Sequence, residues 1–189
     1  MTKGKLIVIS APSGCGKSTI INSILDDESI GLEFSVSATN RAPREGEEDG
    51  VHYHFLTTER FRDAVENGEF IEWEEVYPGR YYGTLKSEVD LQLAKGHNVI
   101  LDIDVKGALN VKKSYGEDAC LIFVEPPSIP ELQRRLLKRG TDTPEQIVTR
   151  VGRAEYEISF APQFDKRVVN EDLNDAVEET KALIKEFLA

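Results

Sequence analysis

Residues 6–19 read Leu6-Ile7-Val8-Ile9-Ser10-Ala11-Pro12-Ser13-Gly14-Cys15-Gly16-Lys17-Ser18-Thr19. The apolar, β-branched beginning of this stretch predicts a buried strand over residues 5–10. Its glycine-rich turn leads into residues 17–25, where isoleucines recur at helical spacing. Successive backbone N–H groups in such a turn form an anion-binding site, which the helix dipole strengthens. The stretch therefore predicts a phosphate loop, defined here as residues 11–19, between a strand and a helix.

The phosphate loop departs at one position from the pattern G-x-x-x-x-G-K-[ST], whose first glycine is replaced by Ala11. Alanine costs little there if the position takes a negative φ angle. In this pattern Lys17 reaches the β- and γ-phosphates, and Ser18 ligates Mg²⁺. The alternative is an ordinary glycine-rich turn between strand and helix. Cys15 is either a reactive thiol at a helix N-terminus or a small filler of the loop.

Composition excludes several classes of protein. The chain has 189 residues, a net charge of −11 and a pI near 4.8, which argues against a binder of nucleic acid or anionic membranes because such binders need a basic face. No apolar run approaches the ~20 residues of a membrane-spanning helix, and the first residues lack the pattern of a secretory signal. Cys15 and Cys120 are too few for a disulfide scaffold, so we expect a reducing, cytoplasmic location.

Strand and helix patterns alternate along most of the chain, which predicts an α/β fold with a parallel sheet flanked by helices. Residues 34–84 instead predict a mostly antiparallel insertion, and residues 128–158 predict a helical one. The remaining core covers about residues 1–33, 85–127 and 159–189. Within the insertions and core we predict strands at 34–38, 51–56, 70–76, 81–84, 98–103, 119–124 and 167–170, and helices after Thr58 and at 86–95, 105–113, 129–139, 144–158 and about 176–187.

Two basic segments are candidates for further phosphate contacts. Arg41 and Arg44 are joined through the rigid Pro43, and planar guanidinium groups bind phosphate in a bidentate manner. The alternative is a solvated loop in which acidic residues 45–49 pair with these arginines. The second segment carries Arg134, Arg135, Lys138 and Arg139, followed by Arg150 and Arg153. Its alternative is a solvated basic face that nearby glutamates offset.

The order of motifs along nearly the whole chain resembles the guanylate kinase family, a P-loop type of nucleoside monophosphate kinase. The motifs are the phosphate loop, Ser37-Ala38-Thr39-Asn40-Arg41-Ala42-Pro43-Arg44-Glu45-Gly46-Glu47, Phe70-Ile71-Glu72-Trp73, Tyr81-Tyr82-Gly83-Thr84, Ile100-Leu101-Asp102-Ile103-Asp104, Phe123-Val124-Glu125-Pro126-Pro127-Ser128, Arg139-Gly140-Thr141 and Val169-Asn170.

The resemblance implies a core, a GMP-binding region at about 34–84 and a lid at about 128–158. It implies transfer of the γ-phosphoryl group of ATP, with Mg²⁺, to GMP and dGMP, in purine nucleotide metabolism and GMP recycling. The implied partners are these small substrates, without nucleic acid or membrane, and the oligomeric state stays open. The alternative from another class is a non-catalytic, guanylate-kinase-like module that binds phosphopeptides.

The resemblance also implies roles for individual residues. Catalysis falls to Lys17, Arg41 and the lid arginines Arg135, Arg139 and Arg150. ATP binding falls to residues 11–19, with Ser18 on Mg²⁺ and Asn170 near the adenine. GMP binding falls to Arg41, Arg44, Tyr53 and Tyr82 at the phosphate, to Ser37, Glu72 and Thr84 at the guanine edge, and to Asp104 near the base, while Asp102 is expected near the arginines or the water shell of the metal.

Glu72 is the expected discriminator between guanine and adenine. The N1–H and 2-amino groups of guanine are adjacent donors, and an ionised carboxylate is purely an acceptor. Adenine lacks this pair of donors. The alternative for Glu72 is an ordinary surface carboxylate on a strand, beside Glu74 and Glu75.

Overall fold

The computed structural model describes residues 3–140 and 142–189. The strands are β1 (Leu6–Ser10), β2 (Leu32–Phe34), β3 (Ala38–Thr39), β4 (His54–Phe55), β5 (Phe70–Tyr77), β6 (Arg80–Leu85), β7 (Asn98–Asp102), β8 (Ala119–Glu125) and β9 (Lys166–Val169). The helices are α1 (Lys17–Leu25), α2 (Thr58–Glu66), α3 (Lys86–Ala94), α4 (Val105–Tyr115), α5 (Ile129–Arg139), α6 (Pro144–Ile158) and α7 (Leu173–Leu188).

The core is a parallel sheet in the order β2-β7-β1-β8-β9. All residues of its central strand, β1, are buried. Leu6 and Val8 pack into one hydrophobic cluster with α3 and α4, whereas Ile7 and Ile9 pack into another with α1 and α7. A parallel sheet covered on both faces requires such continuous apolar strands. The predicted fold class is confirmed.

The first insertion forms a second sheet in the order β4-β3-β6-β5. Its β3–β6 and β5–β6 pairs are antiparallel, and its β3–β4 pair is parallel. Phe61 of α2 covers one face and stacks on Phe70 at 4.4 Å between ring centroids. The predicted strand at 34–38 is wrong as a single element, because Phe34 pairs with Ile100 in the core sheet and the insertion's strand begins only at Ala38.

The second insertion consists of α5 and α6, and it packs against the phosphate loop. A capping box starts α6, since Thr143 and Gln146 satisfy each other's backbone N–H groups. The apolar faces of the two helices form one cluster with a loop residue; the buried members are Cys15, Leu132, Leu136, Ile147 and Ala154. Within the described ranges, none of the helices has the length and apolar character needed to cross a membrane.

Parallel strands place their carboxyl ends at one edge of the sheet, where ligands of open α/β sheets bind. Strand β1 ends at this edge and continues into the phosphate loop, and β7 ends there with Asp102, which is in register with Ile9. The lid and the second sheet also contribute residues to the cavity at this edge, which is described below.

Candidate functional site

A cavity of about 780 Å³ opens at this edge of the sheet. Residues of the phosphate loop line it, and so do Glu72 and Asp104. Arg135 and Arg139 of α5 also line it. The structure therefore brings into one cavity residues that are distant in the sequence and that were predicted to contact ATP and GMP.

The phosphate loop needs glycine at two of its positions. Gly14 and Gly16 have φ angles of 94° and 80°, a region that other residues rarely adopt. A Cβ atom at Gly14 would lie 2.8 Å from Cδ2 of Leu136. No non-glycine residue in the described part of the chain has a positive φ angle, so Ala11 meets the condition under which alanine replaces the first glycine at little cost.

Two buried side chains support the phosphate loop, Cys15 from within it and Asn170 from outside. Burial raises the pKa of the Cys15 thiol to about 12, which favours the filler role over the reactive one. Asn170, also buried, donates a hydrogen bond from Nδ2 to the carbonyl oxygen of Cys15 at 2.8 Å. The structure thus gives Asn170 a contact with the loop itself. The predicted position of Asn170 near the adenine stays a prediction.

Lys17 and Asp102 form an ion pair inside the cavity, between Nζ and Oδ1. Asp102 was expected beside the arginines or the water shell of a metal, and its contact in the structure is instead the lysine of the phosphate loop. Ser18 follows Lys17 in α1 with an exposed side chain. A hydroxyl and a nearby carboxylate fit Mg²⁺, which commonly binds one or two protein ligands together with substrate phosphates and water.

The described residues contain no group of three or more His, Cys, Asp or Glu side chains that could hold a metal by themselves. The residues of this cavity that would hold Mg²⁺ are Ser18 and Asp102.

Arg41 is paired with Glu47, as the alternative for this loop anticipated. Its Nη1 and Nη2 atoms donate to the two carboxylate oxygens of Glu47, each at 2.6 Å. The backbone N–H of Arg44 donates to the same carboxylate at 2.7 Å. The hydrogen bonds from Arg41 and Arg44 lower the pKa of Glu47 to about 2, and the pairing raises the pKa of Arg41. Glu47 therefore fixes the orientation of Arg41.

Arg41 also contacts aromatic residues of the second sheet. Its guanidinium carbon lies 4.9 Å from the ring centroid of Tyr53, and the Tyr53 and Tyr82 rings are 5.9 Å apart. The structure therefore brings Arg41, Tyr53 and Tyr82 together. This group is not part of the lining of the main cavity, and neither is Arg44 or Ser37.

Glu72 lies where the second sheet meets the cavity. Its Oε1 atom accepts a hydrogen bond from the hydroxyl of Thr84 at 2.7 Å. Burial raises the pKa of Glu72 to about 7, and the negative charges of Asp104 and Glu74 act in the same direction. The alternative of an ordinary surface carboxylate is wrong, because an exposed side chain would not be desolvated in this way.

Asp104 caps helix α4 and also lines the cavity. Its Oδ1 atom accepts a hydrogen bond from the backbone N–H of Gly107 at 2.7 Å. Asp104 and Glu72 thus form a pair of carboxylates at the part of the cavity where the base was expected.

The lid arginines have distinct contacts. Arg135 donates from Nε to Glu131 at 2.9 Å and from Nη2 to the carbonyl oxygen of Glu171 at 3.2 Å. Arg150 donates from Nη1 to the hydroxyl of Ser13 in the phosphate loop and from Nε to Asp142 at 3.1 Å. Thr141, part of one motif named above, lies outside the described residues.

Arg153 is a cavity residue that sequence reasoning left unassigned. It lies 3.8 Å from Glu74 of β5, between Nη2 and Oε1, and 3.0 Å from Glu157, between Nε and Oε1. Arg153 therefore connects the lid with the second sheet. Its position three residues after Arg150 was the available signal, but the basic pattern did not show which arginine faces the cavity.

Comparisons with known proteins agree on one family. A family model described as guanylate kinase matches residues 3–187. The guanylate kinase of Bacteroides thetaiotaomicron is 60% identical over 185 residues, which are 98% of this chain and 90% of that protein. The guanylate kinase of Porphyromonas gingivalis is 55% identical and covers 98% of both chains. The crystal structure of guanylate kinase from Anaplasma phagocytophilum aligns with a TM-score of 0.72 and 31% identity, over 100% of this chain and 88% of that one.

Proposed function

Because the chain belongs to the guanylate kinase family and is a phosphotransferase that converts GMP to GDP, we propose that ATP binds at the phosphate loop with Mg²⁺, and that GMP binds between the second sheet and the lid. One observation carries this assignment: Lys17 of the phosphate loop and Glu72, the expected guanine discriminator, line the same cavity. A cavity shared by both substrates permits direct transfer between them. The phosphate loop keeps Lys17 and Ser18, and the relatives are guanylate kinases. Neither observation favours the phosphopeptide-binding alternative.

At the ATP side, residues 11–19 hold the phosphates through backbone N–H groups at the N-terminus of α1. Lys17 neutralises the β- and γ-phosphates, and its ion pair with Asp102 keeps the ammonium group inside the cavity before ATP arrives. Ser18, with Asp102 nearby, would hold Mg²⁺, which supplies charge neutralisation at the β- and γ-oxygens when bound. Asn170 supports the loop through the Cys15 carbonyl and lies close to the adenine.

At the GMP side, Glu72 accepts the N1–H and 2-amino groups of guanine, and Thr84 orients it through a hydrogen bond of 2.7 Å. Asp104 and Ser37 complete the surroundings of the base. The phosphate contacts Arg41, Arg44, Tyr53 and Tyr82. Since Glu47 occupies both terminal nitrogens of Arg41, the phosphate either shares that guanidinium with Glu47 or displaces it.

The transfer is an in-line attack of a GMP phosphate oxygen on the γ-phosphorus of ATP, and ADP leaves. The attacking oxygen is already anionic, so the reaction requires no general base, and catalysis consists of positioning and charge stabilisation. Arg135, Arg139 and Arg150 stabilise the negative charge spread over the transferred group. The contact of Arg150 with Ser13 of the phosphate loop supports this role.

We further propose that the core (about 1–33, 85–127 and 159–189), the GMP-binding region (about 34–84) and the lid (about 128–158) move relative to one another. Closure excludes water and suppresses hydrolysis of ATP. Because the base carries the recognition, dGMP is a second acceptor. The reaction belongs to purine nucleotide metabolism and GMP recycling in the cytoplasm, in keeping with two unpaired, buried cysteines, Cys15 and Cys120.

The experiment that tests this proposal follows a label from ATP to GMP. The chain is incubated with ATP labelled at the γ-phosphorus, GMP and Mg²⁺, and the products are separated. We expect the label at the β-phosphorus of GDP, with loss of transfer when EDTA removes Mg²⁺ and recovery when Mg²⁺ is restored. Label released as inorganic phosphate at the same rate with and without GMP would contradict direct transfer. Unchanged transfer in EDTA would contradict the metal assignment.

A further inference from the structure

Gly107 occupies an unfavourable place for a glycine. It is the third residue of helix α4, after the N-cap Asp104. Glycine inside a helix costs about 0.5–1 kcal/mol relative to alanine. It is absent from the glycines with positive φ angles, so the backbone conformation does not require it. Some feature of its surroundings must therefore favour the absence of a side chain.

The space beside Gly107 is filled by Glu72. A Cβ atom at Gly107 would lie 2.9 Å from Cβ and 3.0 Å from Cγ of Glu72, and 3.2 Å from Oδ1 of Asp104. Carbon atoms in favourable contact are about 3.5–4.0 Å apart. By contrast, a Cβ atom at Gly152, inside helix α6, would have no heavy atom within 4 Å. Helix α4 thus approaches β5 closely at the residue that bears the guanine-reading carboxylate.

The backbone of Gly107 acts on the second carboxylate of the same group. Its N–H donates to Oδ1 of Asp104 at 2.7 Å. Gly107 therefore affects both carboxylates. Its lack of a side chain leaves room for Glu72, and its N–H holds Asp104 through a hydrogen bond. Both carboxylates line the main cavity, whereas Gly107 is buried and shares with them the lining of a neighbouring cavity.

We infer that Gly107 is a positioning residue for guanine recognition. Its missing side chain lets Glu72 lie against helix α4, with its carboxylate held by Thr84 and directed at the base. A methyl group there would push Cβ and Cγ of Glu72 away by several tenths of an ångström and would misalign a bidentate contact whose hydrogen bonds depend on geometry. This inference rests on the proposed role of Glu72.

The test compares Gly107→Ala with Gly152→Ala, two substitutions of the same chemistry inside helices. We expect Gly107→Ala to raise the KM for GMP about tenfold or more, the effect of weakening a hydrogen bond to a charged group. The KM for ATP should stay within about twofold, and the melting temperature should fall by no more than a few degrees, because the helix preference of alanine offsets part of the strain of the close contact. Gly152→Ala should leave both KM values unchanged.

A double-mutant cycle separates failure of this inference from failure of the role of Glu72. In the Glu72→Ala background, Gly107→Ala should add little further increase in the KM for GMP, since the positioned carboxylate is gone. An unchanged KM for GMP in Gly107→Ala, when Glu72→Ala does raise it, would overturn the inference alone. An unchanged KM in Glu72→Ala would overturn the role of Glu72. A Gly107→Ala chain that fails to fold, or whose affinity for ATP falls as much as its affinity for GMP, would show that the close contact supports the fold instead.

Discussion

The Glu72→Gln variant tests guanine recognition, because it should remove the part of the pH dependence of kcat/KM for GMP that comes from Glu72. The carboxyl of Glu72 has a pKa raised to about 7, mainly by burial and additionally by the charges of Asp104 and Glu74. A protonated carboxyl presents an O–H donor to guanine, where the N1–H and 2-amino groups need acceptors. The ionised fraction of Glu72 in the free enzyme should therefore control kcat/KM for GMP.

The expected size follows from the titration. With a pKa of about 7, the ionised fraction falls about tenfold between pH 8 and pH 6, and kcat/KM for GMP should fall by the same factor. The GMP phosphate titrates near pH 6 as well, but it does so with either protein. The ratio of wild-type to Glu72→Gln kcat/KM therefore isolates Glu72, and we expect this ratio to drop about tenfold from pH 8 to pH 6.

The same substitution has an effect on stability that is opposite in sign to its effect on activity. Since the pKa of Glu72 in the folded chain lies above its usual value of 4.5, ionisation opposes folding. The cost is fully present above pH 7, at about 3 kcal/mol, and disappears as the pH falls through 7 towards 4.5. Glu72→Gln should therefore unfold at a higher temperature than wild type at pH 8, and the two should converge near pH 4.

Steady-state assays from pH 5.5 to 8.5 and thermal melts at matched pH provide both readouts. The ratio of wild-type to Glu72→Gln kcat/KM for GMP is the deciding quantity. If this ratio does not change with pH, Glu72 does not read the base, and the group that does so does not titrate in this range. Equal melting temperatures at pH 8 would refute the desolvation of Glu72.

Three further perturbations test other parts of the site. Lys17→Ala should lower kcat at least about 100-fold and leave the KM for GMP within about threefold, as steady-state kinetics would show, because Lys17 acts on charge that develops during transfer. Iodoacetamide at pH 8 should alkylate Cys15 only after unfolding, and mass spectrometry of the native chain should find it unmodified, since burial raises the pKa of its thiol to about 12. Arg153→Glu should raise the KM for GMP only a few-fold, because exposed ion pairs are weak. Adding Glu74→Arg to the same chain restores a pair of opposite charges and should reverse the increase. An increase that persists in the double variant would mean that this pair does not link the lid and the second sheet.

Local patterns predicted the elements that depend on neighbouring residues. Helices α1 and α5 begin and end as predicted, because the phosphate loop and the Pro-Pro-Ser stretch before α5 fix their starts and glycine ends α5. The φ angle of Ala11, which the sequence left open, is not positive in the structure. The helix boundaries are encoded within a few residues, where propensity and capping dominate.

Local patterns did not predict which side chains contact one another, either within the acidic loop or between distant segments. The acidic loop offered several partners for Arg41, and the folded turn that also binds the N–H of Arg44 selects Glu47. Asp102 pairs with Lys17 because two parallel strands end side by side, and the position of Arg153 depends on how the lid faces β5. Phe34 pairs with Ile100 in the core sheet, and the three residues of β2 carry no local signal that distinguishes this sheet from the second one.

We propose that the cavity transfers a phosphoryl group to GMP and selects GMP by its base. The most direct test measures ADP release from ATP and Mg²⁺ with GMP, AMP, UMP or dTMP as the acceptor. We predict rapid turnover with GMP and a kcat/KM lower by about three orders of magnitude or more with AMP, because a cavity built to accept guanine's donors leaves Glu72 unpaired against adenine. Comparable turnover of GMP and AMP, or no turnover of GMP, would contradict the account.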